Sequence, residues 1–260
     1  MIMKKTFKFI GFVLMTIFSF GLVSCGSDGD DDPGISITPS SVSMHYDDTK
    51  QLSAQGATSW SSNDEFVAKV DQSGLVTGGH VGTTQIIASN GKKTSICDVT
   101  ITPQYFLYDT PLLDWGISMT SVKSQETHEL LSTKENNLMY NYTKGETACL
   151  LTYNFENDKL RGIVVILNYS YYVDAGYYLL ERYQPVAESE GMYVFLDALT
   201  KDKANTTIGL ETTTISGSKV VSIIYIPVSG TLRSVIDLSN SSFSLLKVLE
   251  EQPRLIHMVK

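Results

Sequence analysis

A cysteine near the start of the chain stands where its thiol could be covalently modified. Cys25 follows the small Ser24 and closes an uncharged run over residues 9–23, which three lysines precede. The run is shorter than the about 20 apolar residues that a membrane-spanning helix needs. Basic, apolar and small-residue regions in this order are typical of a cleaved signal peptide. The sequence therefore predicts a signal peptide at residues 1–24 and a mature chain whose first residue is Cys25.

The segment Leu22-Val23-Ser24-Cys25 resembles the processing site of bacterial lipoproteins. The resemblance implies that diacylglycerol alkylates the Cys25 thiol and that a signal peptidase then cleaves just before this residue. Each buried methylene contributes roughly 0.8 kcal/mol to membrane binding, so two or three acyl chains hold a protein on a bilayer essentially permanently. We therefore expect the membrane to be a partner through a lipid anchor, with an uncleaved membrane anchor as the alternative.

Four aspartates follow closely, namely Asp28, Asp30, Asp31 and Asp32. They resemble the export signal that sends some Gram-negative lipoproteins to the outer face of the cell. A calcium loop is excluded, because Pro33 stands where such a loop needs glycine and Pro39 where it needs glutamate. We predict an acidic tether over residues 25–34 that also acts as an export signal. Lipid-anchored localisation at the outer membrane, exposed at the cell surface, follows from this prediction.

The charge of the chain argues against a nucleic-acid partner. It has 20 basic and 28 acidic residues, a formal net charge of −8, and removal of the leader with its three lysines lowers this to −11. A nucleic-acid backbone repels a surface of that sign. Beyond Cys25, Cys97 and Cys149 form no disulfide framework and no metal-ligand pattern. These two cysteines either pair with each other or are separately buried thiols.

Residue types suited to catalysis are present without the spacing that catalysis needs. The histidines are His45, His80, His128 and His257. None stands at a metal-ligand spacing from another histidine or a cysteine, and neither a Gly-x-Ser-x-Gly motif nor a phosphate-binding loop occurs. Glu188 and Glu190 could act as an acid–base pair on a glycan, and a solvated loop is the plainer interpretation. We predict that the chain is not an enzyme and uses no metal or cofactor.

Tyrosines concentrate in residues 169–183, where they could bind a glycan or a protein. Their rings provide stacking area and their hydroxyls hydrogen-bonding groups. The candidate ligand-binding residues are Tyr171, Tyr172, Tyr177 and Tyr178. The alternative is that part of this group is core, because a helix over 175–183 turns some of the rings inward.

The elements that position these residues fall into two domains with different patterns. In residues 35–103, short strand-like runs alternate with turn signals such as Asn90-Gly91, and no helical stripe occurs. This pattern predicts an all-β sandwich. Alternation along residues 97–102 places Cys97 on its buried face.

Motifs in residues 35–102 resemble, in order, the pattern of group 2 bacterial immunoglobulin-like domains. They are Ile35-Ser36-Ile37-Thr38-Pro39, Gln51-Leu52, Ser59-Trp60-Ser61-Ser62-Asn63, Val67-Ala68-Lys69-Val70-Asp71, Gly74-Leu75-Val76-Thr77-Gly78 and Gly82-Thr83-Thr84-Gln85-Ile86. The family occurs in intimin- and invasin-type adhesins and in many surface lipoproteins, as a spacer, stalk or adhesive module. The resemblance implies a β-sandwich without catalysis. Trp60 could be a ligand platform, but we expect it to be core, because inward aromatics anchor such sandwiches.

Residues 104–260 have the pattern of an α+β domain with an antiparallel sheet. Ser118 can cap a helix over residues 119–131, and Asp174 can cap a second helix over 175–183. Three strand candidates follow each helix, at residues 138–143, 148–155 and 160–167 and at residues 192–199, 206–213 and 219–226. This order predicts two αβββ units that join edge to edge into one sheet. Further on, the spacing predicts a strand at 232–238 and a closing helix at 243–251.

The first unit resembles small outer-membrane assembly lipoproteins and β-lactamase-inhibitor-like domains. The resemblance is carried by Trp115-Gly116-Ile117-Ser118 and by Asn154-Phe155-Glu156-Asn157-Asp158-Lys159-Leu160. It implies an accessory role on a protein complex at the outer membrane. The favoured prediction is instead a binding or adhesion protein whose sandwich is a spacer and whose C-terminal domain is a recognition head.

Overall fold

The computed structural model describes residues 34–189, 191–215 and 217–228. The predicted signal peptide, Cys25, the four aspartates and the elements predicted at 232–238 and 243–251 lie outside the described residues. Within them, an all-β domain of paired sheets is followed by an α+β domain built on one antiparallel sheet. The predicted fold class is confirmed.

The N-terminal domain consists of nine short strands. They are β1 (Ile37–Thr38), β2 (Ser41–Met44), β3 (Thr49–Gln51), β4 (Ser53–Ala54), β5 (Ser59–Ser62), β6 (Ala68–Val70), β7 (Leu75–Gly78), β8 (Gly82–Ser89) and β9 (Thr94–Ile101). One sheet has the order β2-β9-β8-β5, with β2 parallel to β9, and a second has the order β3-β7-β6. The strands β1 and β4 pair separately.

The core of this domain lies between the sheets and contains Trp60, Ile86, Cys97 and Val99. The expectation that Trp60 and Cys97 are core is confirmed. The indole packs so closely on Gly74 that a Cβ there would lie 2.8 Å from Trp60 Cζ2. Because Gly74 also has a φ of +83°, which side chains rarely tolerate, glycine is required at this turn.

In the part of the C-terminal domain that the structure describes, there are two α-helices and eight strands. In chain order they are α1 (Met119–Gln125), β10 (Glu129–Lys134), β11 (Asn137–Asn141), β12 (Cys149–Glu156), β13 (Lys159–Asn168), α2 (Tyr172–Leu180), β14 (Gln184–Ser189), β15 (Met192–Leu196), β16 (Thr206–Ile215) and β17 (Ser218–Pro227). The sheet order is β10-β11-β12-β13-β17-β16-β15-β14, and every neighbouring pair is antiparallel. The last strands of the two halves therefore meet at the centre of the sheet, as the edge-to-edge prediction requires.

Each half has four strands, so the prediction of three per unit is wrong. The first predicted helix was too long, because the backbone leaves the helix at Glu126 and residues 129–134 form β10. Ser118 is the N-cap as predicted, and its hydroxyl accepts a hydrogen bond from Ser121 N at 3.1 Å. Asp174 is not a cap. A 3₁₀ turn, capped by the side chain of Asn168, leads directly into α2 three residues earlier than predicted.

The sheet has two apolar faces. The helix face carries the larger core, in which Val122 of α1 and Leu179 of α2 pack on strand residues such as Leu151, Val165 and Ile223. We call the opposite side the second face, and its core is formed by Met139, Leu150, Val164, Ile166, Ile215 and Val220. Cys149 is buried on the helix face, and it and Cys97 are both free thiols. The alternative of two separately buried thiols is thus the correct one.

Candidate binding surface

The sites predicted for lipidation and export are not among the residues that the structure describes. Cys25, Asp28, Asp30, Asp31 and Asp32 all precede residue 34, so their roles stay predictions. Among the described residues, neither helix has the length and apolar character needed to span a bilayer. In the same residues, no cluster of three or more His, Cys, Asp or Glu side chains is arranged to hold a metal ion.

The helix α2 carries most of the predicted tyrosines and orients them differently. Its inner side consists of Ala175, Tyr178 and Leu179, all buried against the helix face of the sheet. Positions i, i+3 and i+4 share one side of a helix, so this triad is the usual core stripe. The spacing of Ala175, Tyr178 and Leu179 is present in the sequence, and it indicates that Tyr178 is the buried tyrosine.

Tyr178 is therefore a core residue, and its prediction as a ligand contact is corrected. Only 1% of the residue is exposed. Its hydroxyl donates to the carbonyl of Tyr108 at 3.3 Å, and its ring packs on that of Tyr108 with centroids 4.6 Å apart. The guanidinium of Arg182 lies 3.8 Å from the ring centroid. Burial raises the pKa of Tyr178, which keeps the phenol neutral.

Tyr177 lies on the outer side of α2 and is accessible. It is 49% exposed, and Val173, one turn earlier on the same side, is 63% exposed. The Tyr177 ring stacks on Tyr105, with centroids 5.2 Å apart and planes 15° apart. The neighbouring Phe106 is 61% exposed. We call Tyr105, Phe106, Val173 and Tyr177 the outer patch. The sequence pattern does not indicate Tyr105 and Phe106, because only the fold brings the segment after Pro103 beside α2.

Tyr171 and Tyr172 are half-buried near the start of α2. Tyr171 Oη donates to the carbonyl of Glu146 at 3.3 Å. Tyr172 stacks on Tyr169 with centroids 6.0 Å apart, and the ammonium of Lys219 lies 4.2 Å from the Tyr169 centroid. Burial, followed by the nearby phenols of Tyr193 and Tyr169, raises the pKa of Tyr172. These two predicted residues are thus engaged by their neighbours, and Tyr177 is the most accessible of the four.

A buried carboxylate, that of Glu126, lies at the C-terminal end of α1. Glu126 accepts hydrogen bonds from Tyr142 Oη at 2.5 Å and from Tyr153 Oη at 2.7 Å, and its Oε1 lies 2.6 Å from His128 Nδ1. Burial alone raises a carboxyl pKa, but the hydrogen bonds from Tyr142, His128 and Tyr153 outweigh it and lower the pKa of Glu126. His128 stacks on Tyr142, with centroids 3.7 Å apart. Every oxygen is satisfied within the protein, so the cluster is best explained as a structural anchor.

The N-terminal domain is similar in sequence to a known family of domains. Its residues 33–100 match the family model of the bacterial Ig-like domain (group 2). This segment is a group 2 bacterial Ig-like domain. The resemblance found in the sequence is thereby confirmed for this part of the chain.

Two surface-layer structures are among the solved structures that align with the chain. The first is described as "Structure of the S-layer protein SbsC, domains 5-6"; it has 16% identity and a TM-score of 0.23, and the alignment covers 76% of this chain and 85% of that one. The second is "Structure of surface layer protein SbsC, domains 4-9", with 15% identity, a TM-score of 0.23 and coverage of 73% and 26%. No curated protein matches the chain significantly in sequence.

The Ig-like domain is joined to the C-terminal domain by hydrogen bonds beside α2. Val81 N donates to the carbonyl of Glu181 at 2.7 Å, and His80 Nδ1 lies 3.1 Å from the carbonyl oxygen of Leu180. His80 is buried, and its ring packs on Phe66 with centroids 4.2 Å apart. Burial lowers the pKa of His80, which favours the neutral imidazole.

The carboxylate of Glu181 also holds the segment that connects the two domains. We call the contacts of His80, Val81 and this segment with the end of α2 the joint. The carboxylate accepts hydrogen bonds from Gln104 N at 2.8 Å and Tyr105 N at 3.1 Å and is paired with Arg182. Arg182 Nη2 in turn donates to the carbonyl of Tyr105 at 3.1 Å. Tyr105 of the outer patch is therefore held through both its backbone N–H and its carbonyl by side chains at the end of α2.

Proposed function

We propose that this chain is a lipid-anchored, non-enzymatic binding protein of the bacterial cell surface. The Ig-like domain acts as a spacer and the C-terminal domain presents the surface that a partner contacts. The anchor and the location rest on the sequence around Cys25 and the aspartates that follow it. The binding role rests on the outer patch.

The observation that carries the binding role is the exposure of large apolar side chains on a rigid support. Val173, Tyr177 and Phe106 are each about half exposed or more. Val173 and Tyr177 lie one helical turn apart on α2, and exposed apolar side chains that lie close together commonly mark interaction sites. Because Tyr177 already stacks on Tyr105, its ring loses little conformational freedom on binding, which favours affinity.

The joint supports the spacer role. A domain that only tethers needs no fixed orientation, whereas Glu181 and His80 hold the two domains together through backbone groups of both. Such a connection would keep the outer patch at a constant position relative to the Ig-like domain. A spacer needs this fixed position in order to present a binding surface to a partner.

Protease treatment of intact cells tests the location. We expect added protease to release the C-terminal domain from cells that express the full precursor, while a periplasmic marker protein stays intact. Replacement of Cys25 by Ala should prevent lipid labelling and leave the leader uncleaved, because cleavage follows alkylation of this thiol. Protection of the C-terminal domain in intact cells would refute surface display and favour the alternative, an assembly accessory on a protein complex at the outer membrane.

Binding measurements on residues 26–260 test the role of the outer patch. The protein is applied to a glycan array and used to capture surface proteins, and the ligand found is titrated against variants. We expect Val173→Ser with Tyr177→Ser to weaken binding roughly tenfold or more. Ile96→Ser, which alters a similarly exposed side chain on the Ig-like domain, is the matched control. Equal affinity of both variants would refute the outer patch as the binding surface.

A further inference from the structure

A second group of exposed aromatic side chains lies on the helix face of the C-terminal sheet. Tyr193 of β15 pairs directly with Leu210, a residue of the helix-face core, so its ring is on that face. Lys219 of β17 lies two residues before Val221 of the same core and therefore shares its face. The ammonium of Lys219 lies 4.2 Å from the ring centroid of Tyr169, which places Tyr169 on this face as well.

Tyr172, the first residue of α2, connects these side chains. Its ring stacks on Tyr169, with centroids 6.0 Å apart and planes 18° apart. Its side chain is also hydrogen-bonded to that of Tyr193. Because Tyr172 precedes Ala175 by three residues and Leu179 by seven, it is on the side of α2 that faces the sheet. We call Tyr169, Tyr172 and Tyr193 the tyrosine row.

The tyrosine row is accessible at both ends, and charged groups lie beside it. Tyr169 is 41% exposed and Tyr193 is 37% exposed. Lys219 is exposed beside Tyr169. Glu188 pairs with Tyr193 across β14 and β15 and is exposed at the other end. The row therefore offers aromatic rings, phenol hydroxyls, an ammonium and a carboxylate on one surface.

This surface differs from the outer patch in position and in composition. Val173 and Tyr177 of the outer patch are turned by about 100° and about 140° around α2 from Tyr172. The outer patch consists of aromatic and aliphatic side chains, whereas the tyrosine row is flanked by Lys219 and Glu188. A surface of rings with charged and hydroxyl groups at its margin suits a ligand that is itself both apolar and strongly hydrated.

We propose that the tyrosine row binds a neutral oligosaccharide. A sugar ring has an apolar face of C–H groups, which stacks on an aromatic ring, and hydroxyls at its margin that both donate and accept hydrogen bonds. Tyr169 and Tyr193 provide two stacking positions with a hydroxyl on each. Lys219 adds donors and Glu188 adds acceptors. An acidic glycan is the poorer ligand, because the chain has a formal net charge of −8 and Glu188 lies at the site.

The contacts within the tyrosine row prepare it for a ligand. Tyr172 is a positioning residue, since its ring packs on Tyr169 and its side chain bonds to that of Tyr193. Rings that are already ordered lose less conformational freedom on binding. The long side chain of Lys219 can move its ammonium from the Tyr169 ring to a sugar hydroxyl without a change in the backbone.

Titration of residues 26–260 with hexasaccharides tests the proposal. The neutral probes are β-linked hexamers of glucose, xylose, mannose, galactose and N-acetylglucosamine and the α-linked hexamer of glucose, and hexagalacturonate is the acidic comparison. We expect at least one neutral hexamer to bind, and Tyr169→Ala and Tyr193→Ala each to weaken its binding about tenfold. Leu130→Ala, which alters a 43% exposed side chain on β10 at the opposite edge of the sheet, is the matched control. It should change the affinity by less than about twofold.

Tyr172→Phe tests the positioning role separately. The substitution keeps the ring on Tyr169 and removes the hydroxyl that bonds to Tyr193, so we expect a loss of affinity of about fivefold. In the Tyr193→Ala background the same substitution should have no further effect, because the bond is already absent. An equal loss in both backgrounds would refute positioning through Tyr193.

Three results would overturn the proposal. They are no binding of any neutral hexamer at about 10 mM, binding of hexagalacturonate alone, and binding that survives both Tyr169→Ala and Tyr193→Ala. Loss of sugar binding only in the Val173→Ser, Tyr177→Ser variant would assign the sugar to the outer patch and would also overturn it. Absence of surface display, or of a partner for the outer patch, would refute the proposed function and leave these results unchanged.

Discussion

The two halves of the C-terminal domain have the same order of elements. In both, a glutamate ends the helix three residues before the first strand. In the first half α1 precedes β10 to β13, and in the second half α2 precedes β14 to β17. Glu126 is the C-cap of α1 three residues before β10, and Glu181 is the C-cap of α2 three residues before β14. Both carboxylates are buried, with 3% of each side chain exposed.

The two glutamates stabilise different parts of the molecule. Glu126 binds hydroxyls of its own half, from Tyr142 beyond β11 and Tyr153 on β12. The residue that corresponds to Tyr142 in the second half is Asp197, which accepts hydrogen bonds from Asn205 N and Thr206 N instead. Without a phenol there, Glu181 bonds to the segment that connects the domains.

The difference shows how a repeated scaffold can acquire a connection between domains. The same helix-ending position contributes internal cohesion in one half and attachment of the Ig-like domain in the other. The two networks share no residue, so substitutions at Glu126 and Glu181 can separate these roles.

The largest effect is expected from Glu181→Ala. The substitution leaves Arg182 without its carboxylate and two backbone N–H groups without an acceptor, so we expect a loss of about 3–5 kcal/mol in the free energy of unfolding. Urea denaturation of residues 26–260 measures this loss, and small-angle scattering should show a looser arrangement of the two domains. Glu156→Ala, which alters an exposed glutamate, is the control and should change stability by no more than about 0.5 kcal/mol. An equal loss in the free energy of unfolding for both variants would refute the role of Glu181 in holding the two domains together.

A smaller effect is expected from Glu126→Gln. The amide keeps one acceptor but cannot accept from both phenols and His128 together, so we expect a loss of about 1–3 kcal/mol. Scattering should show the arrangement of the domains unchanged. The double variant with Glu181→Ala should be additive within about 0.5 kcal/mol, because the networks are separate. A larger coupling energy would contradict the comparison of the two halves.

The smallest effect is expected for the pH dependence of stability when His80 is replaced. Because burial lowers the pKa of His80 in the folded protein, the unfolded chain binds a proton there below about pH 6.5 and the folded chain resists it. The contribution of His80 to stability is thus constant above this pH and declines as the pH falls below it. Urea denaturation at several pH values should show His80→Phe losing less stability than the wild type between pH 7 and pH 5. Identical profiles would show that His80 does not titrate with unfolding.

The sequence predicts the central strands better than the edges. The six strands predicted in the C-terminal domain all occur, because their apolar alternation and turns are local features. The edge strands β10 and β14 were missed. Leu130 and Leu131 fit a helical pattern as well as a strand, and Pro185 argues against a strand anywhere except at an edge. Only pairing with β11 and β15 decides these two elements.

The sequence also predicts only part of the outer patch, because some of its residues come together only in the fold. The concentration of tyrosines near α2 is a property of the sequence, but the accessible surface includes Tyr105 and Phe106 from a distant segment. Tyr178 was assigned to the surface although Ala175 and Leu179 mark its side of the helix as core. The buried roles of Glu126 and Glu181 leave no local signal, since isolated glutamates usually lie on the surface.

By itself, the sequence determined the two-domain organisation, the Ig-like domain with Trp60 in its core, and the antiparallel sheet that follows. These features arise from alternation and turn chemistry among residues close in the chain. Only the tertiary structure decided which tyrosines are accessible, what the two capping glutamates hold, and how the domains are joined. Those outcomes depend on contacts such as that of His80 with Leu180, which form only when residues far apart in the chain are brought together.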